Sequence, residues 1–132
     1  MNALRHVHRL IRPGGAMLDL HPVSEERVES AGRVIGVIAE PEFMTVHLPN
    51  AEERVAQAVR DGLYVLEAEE HFDFREHFDT VAELLEARRE RLSEQAQVAR
   101  KIAAAAPPLA TAQRTILRRF AVRHGETLSP GR

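Results

Sequence analysis

The stretch that decides the fold is Leu10-Ile11-Arg12-Pro13-Gly14-Gly15, followed directly by Ala16-Met17-Leu18-Asp19-Leu20. Upstream of it, apolar residues recur at helical spacing and predict a helix over residues 2–11. Proline stops a helix and two consecutive glycines permit a sharp turn, so the helix is expected to end at Pro13. Residues 16–20 then form a short apolar run that is typical of a buried strand. The chain is therefore predicted to pass from a helix into a sheet, as in the middle of a βαβ pattern.

Three further segments favour β structure. Residues 26–38 predict a hairpin with its turn near Ala31-Gly32. Residues 63–74 alternate apolar and polar side chains, which indicates a strand. Residues 115–124 also alternate, although part of this segment fits a helix equally well, and we favour a strand.

Two capping signals predict helices. Asn50 with Glu53 resembles a capping box, opening a helix that Gly62 is placed to end. Thr80 with Glu83 forms a second one, and the apolar stripe that follows predicts one long helix over residues 80–106. The structure of residues 43–49 is left open by the sequence.

The composition indicates one globular domain spanning residues 1–132. The chain has 132 residues, of which 44% are hydrophobic and 29% charged, and it has no cysteine. Disulfides and thiolate chemistry are thereby excluded. No apolar run approaches the roughly 20 residues that span a bilayer, so we expect a cytoplasmic protein without membrane contact.

The charge is distributed unevenly along the chain. Residues 1–87 carry 17 acidic residues and 8 arginines, whereas residues 88–132 carry 10 basic residues and 3 acidic ones. A basic segment invites a nucleic-acid interpretation. No basic run with interleaved aromatic residues is present, so we favour the alternative that the two parts attract each other or that an arginine-rich face is solvated.

Two regions carry a resemblance to a known family. Residues 10–20 look like the helix, Arg-Pro-Gly-Gly turn and fifth strand of class I, Rossmann-like, S-adenosylmethionine-dependent methyltransferases. The second region is similar to the C-terminal strand and helix of a bacterial branch of these enzymes, and it comprises Asp61-Gly62-Leu63-Tyr64 through Glu69, Phe72-Asp73-Phe74 and Phe78-Asp79-Thr80. The chain thus resembles the C-terminal half of such an enzyme over most of residues 4–95.

The resemblance implies a partial α/β fold. Residues 16–20, 115–123 and 63–74 would be strands five, seven and six of the family, forming a three-stranded mixed sheet with strand seven in the middle. The hairpin over residues 26–38 would be an insertion, and helices would flank the sheet. The outer edge of residues 16–20 would be left unpaired, and such an edge is a template for association. We therefore expect a homodimer or a partner that covers it.

The cofactor-binding half of the family has no counterpart in this sequence. The family holds S-adenosylmethionine on a Gly-rich loop after its first strand, by the same logic as dinucleotide sites. The seven glycines form no Gly-x-Gly loop between a strand and a helix, and they lie at positions 14, 15, 32, 36, 62, 125 and 131. S-adenosylmethionine is implied by the resemblance only, no cofactor-binding residue can be assigned, and we expect this chain alone not to bind it.

Asp19 and His21 are the candidate catalytic residues. In the family, the end of strand five and the segment after it face the methyl acceptor, which here means Asp19, His21 and the hairpin residues 34–38. An imidazole can act as a base or as a hydrogen-bond donor to the acceptor. The alternative is a partly buried loop histidine before Pro22, without a role in proton transfer.

The histidines do not predict a metal site. His6 and His8 are two residues apart, which on a helix points them to different faces. His71 and Asp73 with His77 nearby make a better trio, but polar side chains on the outward face of a strand are ordinary.

Two hypotheses of different class follow. The chain is a truncated or split methyltransferase whose catalytic half is missing or on another polypeptide, or it is a non-catalytic domain for dimerisation or partner docking. Whether it is an enzyme is left open by the sequence.

Overall fold

A computed structural model describes residues 3–124. Five helices and five strands alternate irregularly along the chain. The helices are α1 (Ala3–Leu10), α2 (Leu48–Arg60), α3 (Val81–Ala87), α4 (Arg89–Leu92) and α5 (Ala96–Ala103). The strands are β1 (Ala16–Pro22), β2 (Glu26–Ser30), β3 (Arg33–Ile38), β4 (Tyr64–Phe78) and β5 (Leu109–Val122). A π-helical turn, Phe43–His47, precedes α2.

The strand β5 organises the sheet. It pairs with β1, β2 and β4, and β2 pairs in turn with β3. The predicted arrangement, with the C-terminal strand between residues 16–20 and residues 63–74, is confirmed. The predicted three-stranded mixed sheet is wrong, because the sheet has five strands and is antiparallel. The predicted α/β class is confirmed, whereas the partial Rossmann-like methyltransferase arrangement is not confirmed within residues 3–124.

The hairpin is part of this sheet. Its arms β2 and β3 pair with each other, and Glu26 lies opposite Ile38. Ala31 and Gly32 form the turn, and both have positive φ angles. Its strand β2 also pairs with β5, with Arg27 opposite Ala112, and the hairpin is therefore no separate insertion. The hairpin was predicted from the sequence, but its pairing with β5 was not, because β5 lies about eighty residues away along the chain.

The Arg-Pro-Gly-Gly turn joins α1 to β1 as predicted. The amide of Gly15 donates to the carbonyl of Arg12 over 2.9 Å, and Gly14 adopts a φ of +84°. A Cβ atom on Gly15 would lie 2.6 Å from Cγ2 of Ile11, closer than real Cβ contacts. The second glycine is thus required because the backbone passes tightly against the end of the helix.

Helix α2 begins two residues earlier than the predicted cap at Asn50. The π-helical turn leads directly into it, and proline occupies its first turn, where the missing N–H costs little. Asn50 with Glu53 is therefore not its capping box. Gly62 follows the C-cap residue Asp61 with a φ of +79°, which confirms the predicted helix end.

The long helix predicted over residues 80–106 is wrong, because three short helices occupy this segment. Its start is confirmed, since Oγ1 of Thr80 accepts from the amide of Glu83. Arg88 then leaves helical geometry, with a φ of −118° and a ψ of 20°. Ser93 and Gln95 bind nearby carbonyls with their side chains, which competes with helix propagation.

The described residues group into two compact units, each with its own core. The first comprises residues 3–21, 45–71 and 116–124, and the second comprises residues 22–44 and 72–115. The first core is formed by Ala58, Tyr64, Phe120 and Val122. The second core is formed by Val28, Ile38, Phe78, Leu84, Leu92, Ile102 and Leu109. Among residues 3–124, no helix has the length and apolarity needed to cross a membrane.

Candidate functional site

Strand β1 presents its polar side chains inward and its leucines outward. Leu18 and Leu20 are 64% and 62% exposed, whereas Asp19 and His21 are half-buried. Successive side chains of a strand point to opposite faces, so Asp19 and His21 share one face with Met17, which packs on the core of the first unit. An inverted pattern of this kind costs stability in a fold and is expected where a strand carries function.

His21 is held between two carboxylates. Its Nδ1 lies 2.8 Å from Oδ1 of Asp19, two residues earlier on β1. Its Nε2 lies 2.9 Å from Oε1 of Glu52, in the first half of α2. The second contact has the distance of an ion pair but not the alignment of a hydrogen bond, since Nε2 has no hydrogen-bond partner among the described residues. His21 therefore links the strand to the helix.

Arg118 of β5 completes the cluster. Its Nη1 and Nη2 donate to the two oxygens of Glu52 over 3.0 and 2.7 Å, a bidentate arrangement. Its Nε donates to Oε1 of Glu69 on β4 over 3.1 Å. The arginine side chain is only 14% exposed, and its Nη1 lies 3.6 Å from Oδ2 of Asp19. We call Asp19, His21, Glu52, Glu69 and Arg118 the His21 cluster.

One oxygen of the His21 cluster lacks a hydrogen bond. Oδ2 of Asp19 is shielded from solvent and has no hydrogen-bond partner within residues 3–124, since the distance to Arg118 exceeds hydrogen-bonding range. A buried acceptor that is left unsatisfied costs free energy and calls for an explanation. Asp19 therefore retains the capacity to accept one more hydrogen bond.

The cations set the ionisation of the carboxylates. The hydrogen bonds from Arg118 hold the pKa of Glu52 below its ordinary value, against the opposing effect of burial. The pKa of Glu69 is lowered by its hydrogen bond with His71 and by Arg118. The pKa of Arg118 is raised in return by Glu52. Both glutamates are thus ionised at neutral pH.

The His21 cluster lies where the first core changes from apolar to polar. Met17 on β1, Phe120 on β5 and Val55 on α2 pack together in this core. Two or three residues further along each element, on the same face, stand Asp19, Arg118 and Glu52. The backbone elements that build the core therefore also position the charged groups, which is the arrangement that fixes functional side chains most accurately.

Of these residues, the sequence predicted Asp19 and His21, and the structure brings the two together. Glu52 and Arg118 were missed. Glu52 lies in the first half of a helix whose start was misplaced, and Arg118 was assigned no role, although alternation places it on the same face as Ile116 and Phe120. A signal was present in the excess of arginine in a segment whose apolar residues alternate. The hairpin residues 34–38 offer no group that could transfer a proton and belong to the second unit.

The histidines that were considered and rejected as metal ligands have other contacts. His6 lies 3.5 Å from Arg9, and His8 is buried against the ring of Tyr64, with its Nε2 on the carbonyl of Arg123. His71 pairs with Glu69. Across residues 3–124, no group of three potential ligands is close enough together to hold a metal ion.

A second buried arginine lies in the second unit. Nε and Nη2 of Arg88 donate to the two oxygens of Glu26 over 2.8 and 2.9 Å. Nη2 also donates to Glu76 over 2.8 Å, and more weakly to Oγ1 of Thr111 at 3.4 Å. The guanidinium lies over the ring of Phe78 at 5.5 Å. We call Glu26, Glu76, Arg88 and Thr111 the Arg88 cluster.

The uneven charge of the sequence is used in these two clusters and in a further ion pair. Basic residues from the segment 88–132 pair with acidic residues from the segment 1–87, among them Arg88 with Glu26, Arg118 with Glu52 and Arg119 with Glu67. The attraction between the two parts of the chain, one of the two alternatives to nucleic-acid binding, is therefore observed in each unit.

Comparison with known proteins adds no identification. Neither a protein-family model, nor a curated protein, nor a solved structure matches this chain. The function is therefore inferred from the His21 cluster and from the resemblance described above.

Proposed function

We propose that this chain is the acceptor-side portion of an S-adenosylmethionine-dependent methyl-transfer protein. The observation that supports this most is the His21 cluster near the end of β1. The resemblance equates β1 with the family's fifth strand, whose end faces the methyl acceptor. A half-buried histidine flanked by carboxylates is a suitable group at that position.

The contribution of these residues would be to receive a proton and to orient the acceptor. Asp19 on Nδ1 fixes the orientation and tautomer of the imidazole, which leaves Nε2 as the basic atom. The unsatisfied Oδ2 of Asp19 could accept a hydrogen bond from an acceptor N–H or O–H group. Arg118 anchors Glu52 and lies close to Asp19.

The methyl donor itself does not fit the residues that are present. A Gly-rich donor site needs a strand, a loop and then a helix. Gly14, Gly15 and Gly62 all lie between a helix and the strand that follows it, which is the opposite order, and Gly32 and Gly36 belong to the hairpin. We therefore assign no donor-binding residue and expect a separate polypeptide to supply this half.

Two measurements test the proposal: calorimetric titration of the purified chain with S-adenosylmethionine, and a test for a complex with the product of an upstream reading frame. The purified chain should show no heat of binding with S-adenosylmethionine. If an adjacent frame encodes a Gly-rich strand-loop-helix, its product should form a complex with this chain that binds the donor. Tight donor binding by the chain alone, or failure of the two products to associate, would contradict the proposal.

Variants separate the acceptor side from the donor side. In the complex, His21→Ala should reduce methyl transfer about 100-fold, since general-base catalysis contributes at least that much. Donor affinity should stay unchanged, and His77→Ala provides a matched control because His77 is exposed on β4 and is not a member of the His21 cluster. Equal effects of the two substitutions would remove His21 from the proposed site.

A second candidate, a docking domain without catalysis, is favoured by the outward leucines of β1. This strand pairs only with β5 within the described sheet, so its other edge carries unpaired backbone groups. We propose a second copy as the occupant. Antiparallel pairing of two β1 strands about Leu20 would place the two Leu20 side chains opposite each other and Leu18 opposite Pro22, and it would place Asp19 of one copy opposite His21 of the other.

Sedimentation velocity over a concentration series tests this candidate. The chain should sediment as a dimer, and Leu18→Glu with Leu20→Lys should convert it to a monomer of unchanged circular dichroism. Leu10→Glu is the matched control, because Leu10 is as exposed as the two leucines but lies on α1. A monomer at all concentrations, or a dimer that resists the double substitution, would contradict this candidate.

A further inference from the structure

The surroundings of His21 constrain its protonation state. Both ring nitrogens lie within 3 Å of a carboxylate oxygen, at 2.8 Å on Asp19 and 2.9 Å on Glu52. A neutral imidazole carries one N–H group, and its other nitrogen carries a lone pair. At one of the two contacts, a neutral ring would therefore bring a nitrogen lone pair against a carboxylate oxygen, which is repulsive.

The imidazolium form removes this conflict, because both nitrogens then carry a proton: Nδ1 can donate to Asp19, and Nε2 is attracted to Glu52 as one member of an ion pair. Glu52 cannot supply the missing proton, since its carboxylate is bound at both oxygens by Arg118. Asp19 is likewise near this arginine, with Oδ2 at 3.6 Å from Nη1. The geometry as it stands is thus that of a cationic ring between two anions.

Among the described residues, one further acid is connected to the ring through Arg118. On β4, Glu69 accepts from Nε of Arg118 and is paired in turn with His71. On β1, α2 and β5, the facing groups are Asp19, Glu52 and Arg118. With a neutral His21, three carboxylates are opposed by one guanidinium in this cluster, so a second cation is favourable on charge as well as on hydrogen bonding.

We propose that His21 is a proton-dependent link between β1 and α2. The link is closed when the ring is an imidazolium and is released when the ring is neutral. Glu52 is the positioning residue, and its carboxylate blocks Nε2 while the link is closed. In the closed state Nε2 is unable to accept a proton. Loss of the ring proton frees Nε2 and loosens the first turns of α2. The inference concerns the same site as the proposed function, but it requires no methyl donor.

The sign of the pH effect follows from the proton count. Opening releases one proton only at pH values at which the released ring is neutral and the closed ring is still an imidazolium, and within this window opening becomes about tenfold more favourable for each pH unit. On the acidic side of the window the ring keeps its second proton in both states, and opening is independent of pH. The link is therefore closed on the acidic side and opens as the pH rises.

Nitrogen-15 NMR of the imidazole tests the closed state directly. Both ring nitrogens of His21 should carry protons in the pH range where α2 is protected, and one should lose its proton as protection falls. Protection is measured as hydrogen exchange of the backbone amides of residues 51–55, corrected for the intrinsic pH dependence of exchange. A ring with a single proton throughout the protected range would overturn the proposal.

Glu52→Gln provides the decisive variant. The glutamine amide can donate to the lone pair of a neutral Nε2, so the link should stay closed at high pH and the exchange should lose its extra pH dependence. Glu53→Gln is the matched control, because Glu53 is exposed on the same helix and pairs with Arg60. Unchanged pH dependence in Glu52→Gln, or an equal loss in the control, would overturn the link. Neither result bears on methyl transfer.

Discussion

The His21 cluster and the Arg88 cluster are built from the same parts and differ in how completely their polar atoms are matched. Each has a largely buried arginine bound in bidentate fashion by a glutamate, and each links a helical segment to the sheet. In the Arg88 cluster, the anion Glu26 is only 7% exposed and binds both Arg88 and Arg91. In the His21 cluster, a carboxylate oxygen has no hydrogen-bond partner among the described residues, and a histidine lies between two acids.

We interpret this difference as that between a structural cluster and the proposed functional one. A buried ion pair with every group matched holds two segments in one arrangement. A cluster with an unmatched acceptor and a titratable ring can change its hydrogen bonds when a ligand or a proton arrives. We therefore expect the Arg88 cluster to dominate stability and the His21 cluster to dominate the response to pH and ligands.

The largest effect is expected from Arg88→Met. It leaves Glu26 ionised and buried without its main partner, so the free energy of unfolding should fall by about 3 kcal/mol in urea denaturation. Arg89→Met is the matched control, because Arg89 is exposed and pairs only with Glu86. A similar loss in both variants would show that the cluster is not structural.

A smaller effect is expected from Arg118→Met. The side chain is nearly as buried as that of Arg88, but its acidic partners are more exposed and can be rehydrated, so we expect a loss of about 1.5 kcal/mol. Arg119→Met serves as the control, since Arg119 is exposed and pairs with Glu67. A loss larger than that of Arg88→Met would reverse the comparison.

Acid should weaken both clusters. Glu26 in the Arg88 cluster and Glu52 in the His21 cluster are the carboxylates whose protonation should lower the stability of the fold. Burial raises the pKa of Glu26, but the hydrogen bond and charge of Arg88, with the charge of Arg91, lower it below the ordinary 4.5. Glu52 also has a lowered pKa. Both carboxylates stabilise the fold fully when the pH is above their pKa in the unfolded protein. This stabilisation is lost as the pH falls through their lower pKa in the folded protein.

Thermal denaturation between pH 6 and 3 measures this effect. The loss of stability should be shallower in Glu26→Gln and in Glu52→Gln than in the wild-type protein. Glu53→Gln should follow the wild-type curve, because its carboxylate is exposed. An unchanged curve in Glu26→Gln would mean that Arg88 does not control this carboxylate.

The smallest effect is expected from Thr111→Val. Thr111 is buried, and its hydroxyl accepts from Arg88 over a long 3.4 Å. The isostere removes this long contact and a hydrogen bond of the hydroxyl with Glu26, which has the smallest effect among those that set the pKa of Glu26, so the loss should be about 0.5 kcal/mol by urea denaturation. A loss above that of Arg118→Met would identify Thr111 as a principal partner of Arg88.

The sequence predicted most local elements and few long-range relations. The turn before β1, the hairpin, the cap at Thr80 and the type of the C-terminal strand all depend on residues within one turn or strand, and each is confirmed. The break of the long helix at Arg88 depends on a partner 62 residues away, Glu26. Helical periodicity carries no information about such a contact, so the segment was predicted as one helix.

The site was predicted in part for the same reason. Asp19 and His21 are neighbours on one strand, and their shared face follows from the alternation of side chains. Glu52 and Arg118 come from a helix and from another strand, and only the tertiary pairing of β1 with β5 brings them to His21. Their approach could be predicted only once the sheet was known.

The tight packing of Gly15 against the end of α1 fixes the phase of the strand that follows. Since side chains alternate with a period of two, a single-residue deletion between α1 and β1 would rotate the strand onto its other face. Leucines would then be directed at the carboxylate of Glu52, and the imidazole would point into solvent. The count of residues in this turn is thus itself a determinant of the site, although none of them touches it.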